Sequence, residues 1–154
     1  MSEHLHHNGG TLCEPNDVDV KERHLDMLLA HITLSDKAFM GSVTHKENAR
    51  DTVAMAEIVF GAEAIRRQPA VLSLINASSP LRFDDRMFGA LEVYAQARQA
   101  LIITPFLIAG AMSPVSMAAT LAQQNAEALF GICYAQMLNP GTPCIYGSFL
   151  ANID

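Results

Sequence analysis

The last third of this 154-residue chain is almost without charge. All ten lysine and arginine residues lie at or before Arg98, and Glu127 is the only charged side chain from position 99 to position 153. A self-sufficient domain ordinarily presents charged side chains to water along its whole length. We therefore expect this third to be covered by more protein, either a second copy or further chain, and we predict a homo-oligomer.

Clusters of basic residues are also missing, and the formal net charge is −6. Such a chain is unsuited to nucleic acid or to an anionic membrane surface. The uncharged stretch 99–126 is long enough to span a membrane, but Pro105, Gly110 and Pro114 interrupt it. We interpret this stretch as a strand, a loop and a helix, and we expect neither nucleic acid nor a membrane as a partner.

Cysteine is scarce and shows no paired spacing. An odd number of cysteines without a framework is typical of a reducing compartment, and no signal-peptide pattern follows Met1. Both observations favour a cytoplasmic protein. The three cysteines are Cys13, Cys133 and Cys144.

Motifs that hold metals, phosphates or catalytic nucleophiles are absent too. His4, His6 and His7 lack the usual ligand spacing, so we predict no metal site and interpret residues 1–16 as a flexible segment. No nucleophile elbow, phosphate loop or dinucleotide fingerprint occurs. Three further histidines stand alone in the sequence, and we expect them to be surface or packing residues: His24, His31 and His45.

Strand-like and helix-like segments alternate from position 17 onward. This alternation predicts a parallel sheet with right-handed crossovers. Its spacing suits a (β/α) barrel of the TIM type, of which residues 17–154 would form about four βα units. A flavodoxin-like open sheet is the alternative. The predicted strands are 37–42, 70–75, 101–104 and 143–148, and the predicted helices are 17–33, 44–68, 84–98 and 114–138.

Two loops and one carboxylate are candidates for function. The stretch NASSPLRFDD, residues 76–85, places polar groups directly behind a strand, where parallel α/β folds bind ligands. In GAMSPVS, Gly110 would permit close backbone approach to a ligand. Ser113 stands before Pro114 as the predicted cap of a helix. The N-terminus of this helix would either bind an anion or have no role beyond starting the helix. Glu127 is either a structural hydrogen-bond anchor or a site or interface residue.

Several stretches together resemble the trimethylamine methyltransferase (MttB-like) family, from about Asp17 to the C-terminus. The order of the motifs is more specific than any one of them: Ser-Pro-Leu, Gly-x-x-x-Pro-Val, Asn-Ala-Glu, and then Pro-Gly-Thr-Pro with Tyr-Gly. They occur in LSDKAFMGS, INASSPLRFDD and PFLIAGAMSPVSMAATLAQQNAEALFGICYAQMLNPGTPCIYGSF.

The resemblance implies a corrinoid-dependent methyltransferase on a TIM-barrel scaffold. Family members move a methyl group from trimethylamine, or from a quaternary amine such as glycine betaine, to the Co(I) centre of a separate corrinoid protein. The resemblance also implies that this chain is part of a longer protein. The corrinoid would then be carried by the partner, with no cofactor bound by this chain. The position of pyrrolysine in true trimethylamine enzymes would lie beyond Asp154.

Four residues are expected to contact the substrate on the strength of their positions. Asn76 and Ser79 would line the substrate mouth, Ser113 would seat the carboxylate of a betaine, and Tyr146 would face the ammonium group. Two other interpretations stay open. One is a truncated, non-catalytic remnant that acts only by association with another chain, and the other is an unrelated open-sheet binding domain.

Overall fold

The computed structural model describes residues 13–152 together with His4, His6, His7, Gly9 and Gly10. Helices and strands alternate as the periodicity predicts, except that α3 follows α2 directly and β5 follows β4 directly. Their bounds are α1 Arg23–Leu34, β1 Phe39–Met40, α2 Lys46–Phe60, α3 Ala62–Arg67, β2 Val71–Ala77, α4 Asp85–Gln96, β3 Ala100–Ala109, α5 Met117–Leu138, β4 Cys144–Tyr146 and β5 Phe149–Asn152.

The strands form one parallel sheet in the order β1-β2-β3-β4, and β5 continues beside β3 beyond the end of β4. Each strand is thus added next to the one before it, whereas the strand order of a doubly wound sheet reverses direction. Helices α2, α4 and α5 contact one another in turn, which places them in one layer. This arrangement is compatible with a partial (β/α) barrel and differs from the flavodoxin-like alternative.

The hydrophobic core lies between the sheet and this helical layer. Alternate residues of β2 are fully buried, including Ile75, while the residues between them are only partly buried. Helix α5 packs closely on β3 because position 131 is a glycine: a Cβ there would lie 2.8 Å from Cγ2 of Ile103. The opposite face of the sheet carries Leu72, Leu74 and Asn76.

Several predicted bounds are wrong: α1 begins at Arg23 and not at position 17, β1 and β4 are shorter than predicted, and β5 was not predicted. Two strands extend beyond their predicted ends. Strand β2 continues to Ala77, so Asn76 lies within the strand and not in the loop behind it. Strand β3 continues to Ala109, because residues 106–109 pair with β5. Proline has no backbone N–H to donate within a sheet. Pro105 is tolerated inside β3 because the pairing with β4 ends at position 103 and the pairing with β5 begins at position 106.

The predicted helix 44–68 is two helices, separated at Gly61, whose φ of 88° is outside the helical region. Thr44 does not cap α2: its hydroxyl accepts a hydrogen bond from Asn48 Nδ2, and His45 holds the cap position without a side-chain cap bond. The predicted start of α4 is confirmed, since the Asp84 carboxylate caps the helix by accepting a hydrogen bond from the backbone N–H of Met87, and the helix ends at Gln96, two residues before the predicted end.

Helix α5 begins three residues later than the sequence predicts. Ser116 is its N-cap and accepts a hydrogen bond from the backbone N–H of Ala119, at 3.4 Å. Ser113 is therefore not the cap, because Pro114 and Val115 lie in an irregular segment before the helix. The predicted end of α5 at Leu138 is confirmed.

The prediction of a flexible segment for residues 1–16 falls partly outside the described residues. Within the described part, His7 forms a parallel bridge with Ala38, just before β1. None of the helices in the described part of the chain has both the length and the hydropathy of a membrane-crossing segment.

Candidate substrate site

Asn76 lies near the carboxyl end of β2, on the face of the sheet opposite the helical layer. It pairs in register with Thr104 of β3 and alternates with the core residue Ile75. Its side-chain Oδ1 is buried and has no hydrogen-bond partner. Asn76 lines a cavity of about 250 Å³ at the ends of β1 and β2, together with Met40 and Leu74.

His24 from α1 lies on the same cavity and is held by helix α2. Its Nε2 lies 2.9 Å from Oδ2 of Asp51, a residue 27 positions later in the chain. The imidazole is buried, with 9% of the side chain exposed, and its Nδ1 has no hydrogen-bond partner. Asp51 therefore fixes one ring nitrogen, and the other is buried without a partner beside the cavity.

Arg23 lies on a second cavity of about 260 Å³ that adjoins the first through His24, Met27, Ser42 and Thr44. Its Nη1 donates to Glu14 Oε2 at 3.2 Å and its Nη2 donates to the carbonyl of Val18 at 3.3 Å. The third guanidinium nitrogen, Nε, is buried without a partner.

The end of β1 forms the wall between these cavities and the core. The hydroxyl of Tyr94 donates to the carbonyl of Ser42 at 2.6 Å, and burial raises the pKa of Tyr94 well above its ordinary value. Gly41 leaves room for this contact, because a Cβ there would collide with the Tyr94 hydroxyl and lie 2.8 Å from Cγ2 of Thr52. On the other wall, burial lowers the pKa of His31.

Ser79 and Glu127 come together on the other side of the sheet. Ser79 Oγ donates to Glu127 Oε2 at 2.5 Å, the backbone N–H of Leu81 donates to Oε1 at 2.8 Å, and Gln123 Nε2 donates to Oε1 at 2.9 Å. Leu81 has a φ of 54°, so this carboxylate holds a left-handed residue in place. Glu127 thus anchors the loop after β2.

Gly110 and Ser113 form a tight turn after β3. Gly110 has a φ of 86°, and its backbone N–H donates to the carbonyl of Ser113 at 2.9 Å. The Ser113 hydroxyl donates to Thr120 Oγ1 at 3.1 Å, within the first turn of α5. Both residues therefore connect β3 to α5.

Tyr146 of β4 lies in register with the core residue Ile103, and it therefore points to the helical side of the sheet. Its hydroxyl lies 3.4 Å from Gln124 Nε2 and 3.4 Å from Asn125 Oδ1. The structure thus places Tyr146 and Asn76 on opposite faces of the sheet. Phe149, which follows in β5, pairs its ring with Phe106 at 6.1 Å between centroids.

The residues that the sequence singled out therefore do not form one site. Sequence reasoning missed the pair His24 and Asp51 and the neighbouring Arg23. No local pattern could have found them, because α1 and α2 bring together residues whose spacing follows neither a helical nor a strand period. The only available signal was the position of His24 on the apolar face of the predicted helix 17–33.

A larger cavity of about 430 Å³ lies between α4 and α5. Phe83, Phe88 and Phe130 line it, with ring centroids 5.7 to 6.2 Å apart. Its buried polar wall is Glu127, which already has three hydrogen-bond partners. The smaller cavities at β1 and β2 are the better candidate site, because their polar walls include side-chain atoms with no partner.

Among the residues that the structure describes, no group of three or more histidine, cysteine, aspartate or glutamate side chains is arranged to hold a metal ion. The cysteines are all free: Cys13 and Cys133 are exposed, and Cys144 is partly buried. Burial raises the pKa of the Cys144 thiol.

Parallel strands added in chain order define a βα domain, and a cavity lies at the carboxyl ends of β1 and β2, the edge at which this class binds its ligands. The sequence matches the model of the trimethylamine methyltransferase (MTTB) family over residues 1–154, and the chain belongs to this family.

The relatives act on methylated amines by name. The chain is 51% identical over 154 residues to glycine betaine methyltransferase of Desulfitobacterium hafniense, covering 99% of this chain and 32% of the relative. It is 33% identical over 92 residues to trimethylamine methyltransferase MttB1 of Methanosarcina acetivorans, a match that covers 60% of this chain and 19% of the relative. It is 24% identical over 144 residues to proline betaine:corrinoid methyltransferase of Eubacterium limosum, a match that covers 90% of this chain and 30% of the relative. The chain thus spans about a third of the length of the first of these relatives.

Proposed function

We propose that this chain is part of a methyltransferase that moves a methyl group from a quaternary amine to a corrinoid carried by a partner protein. The observation that carries the proposal is the 51% identity to a glycine betaine methyltransferase over 99% of the chain. Likeness to a trimethylamine enzyme is lower and covers 60% of the chain. Glycine betaine is therefore the proposed methyl donor.

In this reaction the corrinoid supplies the nucleophile that accepts the methyl group, and the residues of this chain hold the amine and exclude water. The two cavities have the size of a small amine. Asn76 is the best supported of the predicted contacts, since its Oδ1 is buried, has no partner and lies near the carboxyl end of β2.

The other predicted contacts stay predictions. Their hydroxyl groups already bond within the protein: Ser79 to Glu127, Ser113 to Thr120, and Tyr146 to Gln124 and Asn125. A substrate that reached them would have to compete with these bonds.

The setting of the protein is also proposed here. Free cysteines support a reducing, cytoplasmic compartment, and the negative net charge supports the absence of nucleic acid and membrane partners. The uncharged exposed side of α5 supports association with a second copy. The alternative function is a non-catalytic remnant that acts only through such association, and the same uncharged side of α5 supports it.

A methyl-transfer assay tests the proposal. The chain is mixed with glycine betaine and a reduced corrinoid protein, and dimethylglycine is measured by mass spectrometry. The Desulfitobacterium relative serves as positive control. We expect dimethylglycine to form with the wild-type chain and to fall roughly 10-fold or more with Asn76→Ala, while Asn152→Ala, at an exposed asparagine of β5, has no effect. Turnover by the relative but none by this chain would contradict methyl transfer by this chain and favour the remnant.

A further inference from the structure

Three buried side-chain polar atoms in the described part of the chain have no hydrogen-bond partner, and all three lie around the two adjoining cavities. They are Arg23 Nε, His24 Nδ1 and Asn76 Oδ1. A buried polar atom without a partner costs about 1–3 kcal/mol. His24 lines both cavities, Arg23 lines one and Asn76 lines the other, so a single polar ligand that extended from one cavity into the other would approach all three.

The Arg23 and His24 end of these adjoining cavities is fixed by other residues. Arg23 donates hydrogen bonds from Nη1 to Glu14 and from Nη2 to the Val18 carbonyl, so Nε–H is the nitrogen donor left without a partner. Asp51 Oδ2 lies 2.9 Å from Nε2 of His24, and the seat uses the form of the ring with a proton on each nitrogen, which presents its second N–H at Nδ1. Two fixed N–H donors on cationic groups form a suitable seat for a carboxylate.

The Asn76 end has the opposite polarity. Its free atom is a carbonyl oxygen, which is an acceptor, and the surrounding wall includes the thioethers of Met27 and Met40 and the side chain of Leu74. A trimethylammonium group carries a positive charge but no N–H donor, so it favours apolar walls and an oxygen that contacts its polarised methyl groups.

We propose that Arg23 and His24 form the carboxylate seat for a betaine-type zwitterion whose methylated ammonium group lies against Asn76. The inference rests on the proposed function and adds the residues that distinguish a betaine from an amine without a carboxylate. It moves the carboxylate seat from the start of α5, where the Ser113 hydroxyl donates to Thr120, to the start of α1. Asp51 and Glu14 act as positioning residues.

Calorimetric titration with two probes tests this seat. Glycine betaine carries a carboxylate, whereas choline has the same trimethylammonium group and a hydroxyl in its place. For the wild-type chain we expect glycine betaine to bind more tightly than choline. In Arg23→Gln and in His24→Gln the dissociation constant for glycine betaine should rise roughly 10-fold or more, with that for choline little changed.

Matched controls are Arg82→Gln and His45→Gln, which replace exposed residues of the same types outside these cavities. Asp51→Asn keeps the size of the partner of His24 and should weaken glycine betaine binding less than His24→Gln does. Circular dichroism of each variant shows that it is folded. A chain that binds glycine betaine equally well with and without Arg23 and His24 would overturn the inference, and so would equal losses for both probes or no binding to the wild-type chain.

The titration separates this inference from the proposed function. If glycine betaine binds through Arg23 and His24 but no dimethylglycine forms in the transfer assay, the proposed function fails and the seat remains. If dimethylglycine forms and the Arg23 and His24 variants bind and react as the wild-type chain does, the seat fails and the proposed function remains.

Discussion

Glu127 shows how a single charged residue can be buried without an ion pair. Only 2% of the residue is exposed, and three donors surround its carboxylate: the Ser79 hydroxyl, the Leu81 backbone N–H and the Gln123 amide. Hydrogen bonds to a charged acceptor are stronger than those between neutral groups. The carboxylate therefore joins the loop after β2 to the middle of α5.

Replacing Glu127 tests this role. Glu127→Gln keeps the volume but turns one acceptor oxygen into a donor that faces other donors, so we expect unfolding free energy to fall by about 1–3 kcal/mol. Ser79→Ala removes one donor and leaves two, and should cost about 1 kcal/mol. Urea unfolding followed by circular dichroism measures both.

The exposed Glu63 provides a matched control, since Glu63→Gln should change the unfolding free energy by less than about 0.5 kcal/mol. A loss for Glu127→Gln no larger than that for Glu63→Gln would mean that the loop does not depend on the carboxylate.

Residues such as Glu127 mark how far sequence reasoning reaches. Its burial could be predicted, because it is the lone charge on an otherwise uncharged helix, but its partners 46 and 48 residues earlier could not. Asn76 could be placed near a strand end from the apolar run before it. The site around His24 and Arg23 could not, because it depends on how α1 packs beside β1 and α2.

At the scale of elements, Glu92 joins three helices. It lies on α4, accepts a hydrogen bond from Lys46 Nζ at the start of α2 at 2.6 Å, and accepts another from the Tyr134 hydroxyl on α5 at 2.8 Å. The contact with Lys46, followed by that with Tyr134, holds the pKa of Glu92 below its ordinary value. The side chain of Glu92 is 26% exposed, so water screens part of this interaction.

This lowered pKa predicts a pH dependence. A carboxylate whose pKa is lower in the folded than in the unfolded state stabilises the fold above its ordinary pKa, and this stabilisation is lost as pH falls through the lowered value. Glu92→Gln should therefore reduce the unfolding free energy by about 1 kcal/mol at pH 7, with the difference from wild type shrinking as the solution is acidified to about pH 3. Urea titrations at several pH values measure it. A difference independent of pH would show that the charge of Glu92 contributes nothing.

Elements were easier to predict than their ends. Periodicity placed the start of α4 and the end of α5 correctly, because capping and stop signals are local. It ended β3 too early, because residues 106–109 become a strand only by pairing with β5, some 43 residues later. The break at Gly61 was missed because helical periodicity continues on both sides of it.

At the scale of the molecule, α5 has an outer face that is apolar and lacks charge. The helix has 22 residues and is about 33 Å long. Its large exposed apolar side chains are Met117, Leu121, Leu129, Phe130 and Met137. Several large apolar side chains exposed on one uncharged helix are typical of an interface in soluble proteins.

A second copy of the chain is the proposed occupant, because two uncharged faces meet without like-charge repulsion. We therefore expect a mass of twice 16.7 kDa in sedimentation velocity at micromolar concentration. The double variant Leu121→Glu and Leu129→Glu places four carboxylates in the interface, and it should sediment as a monomer. Ile58→Glu, an equally drastic change at an exposed position of α2, should leave the dimer intact. A wild-type chain that stays monomeric, or a double variant that stays dimeric, would show that α5 does not hold two copies together.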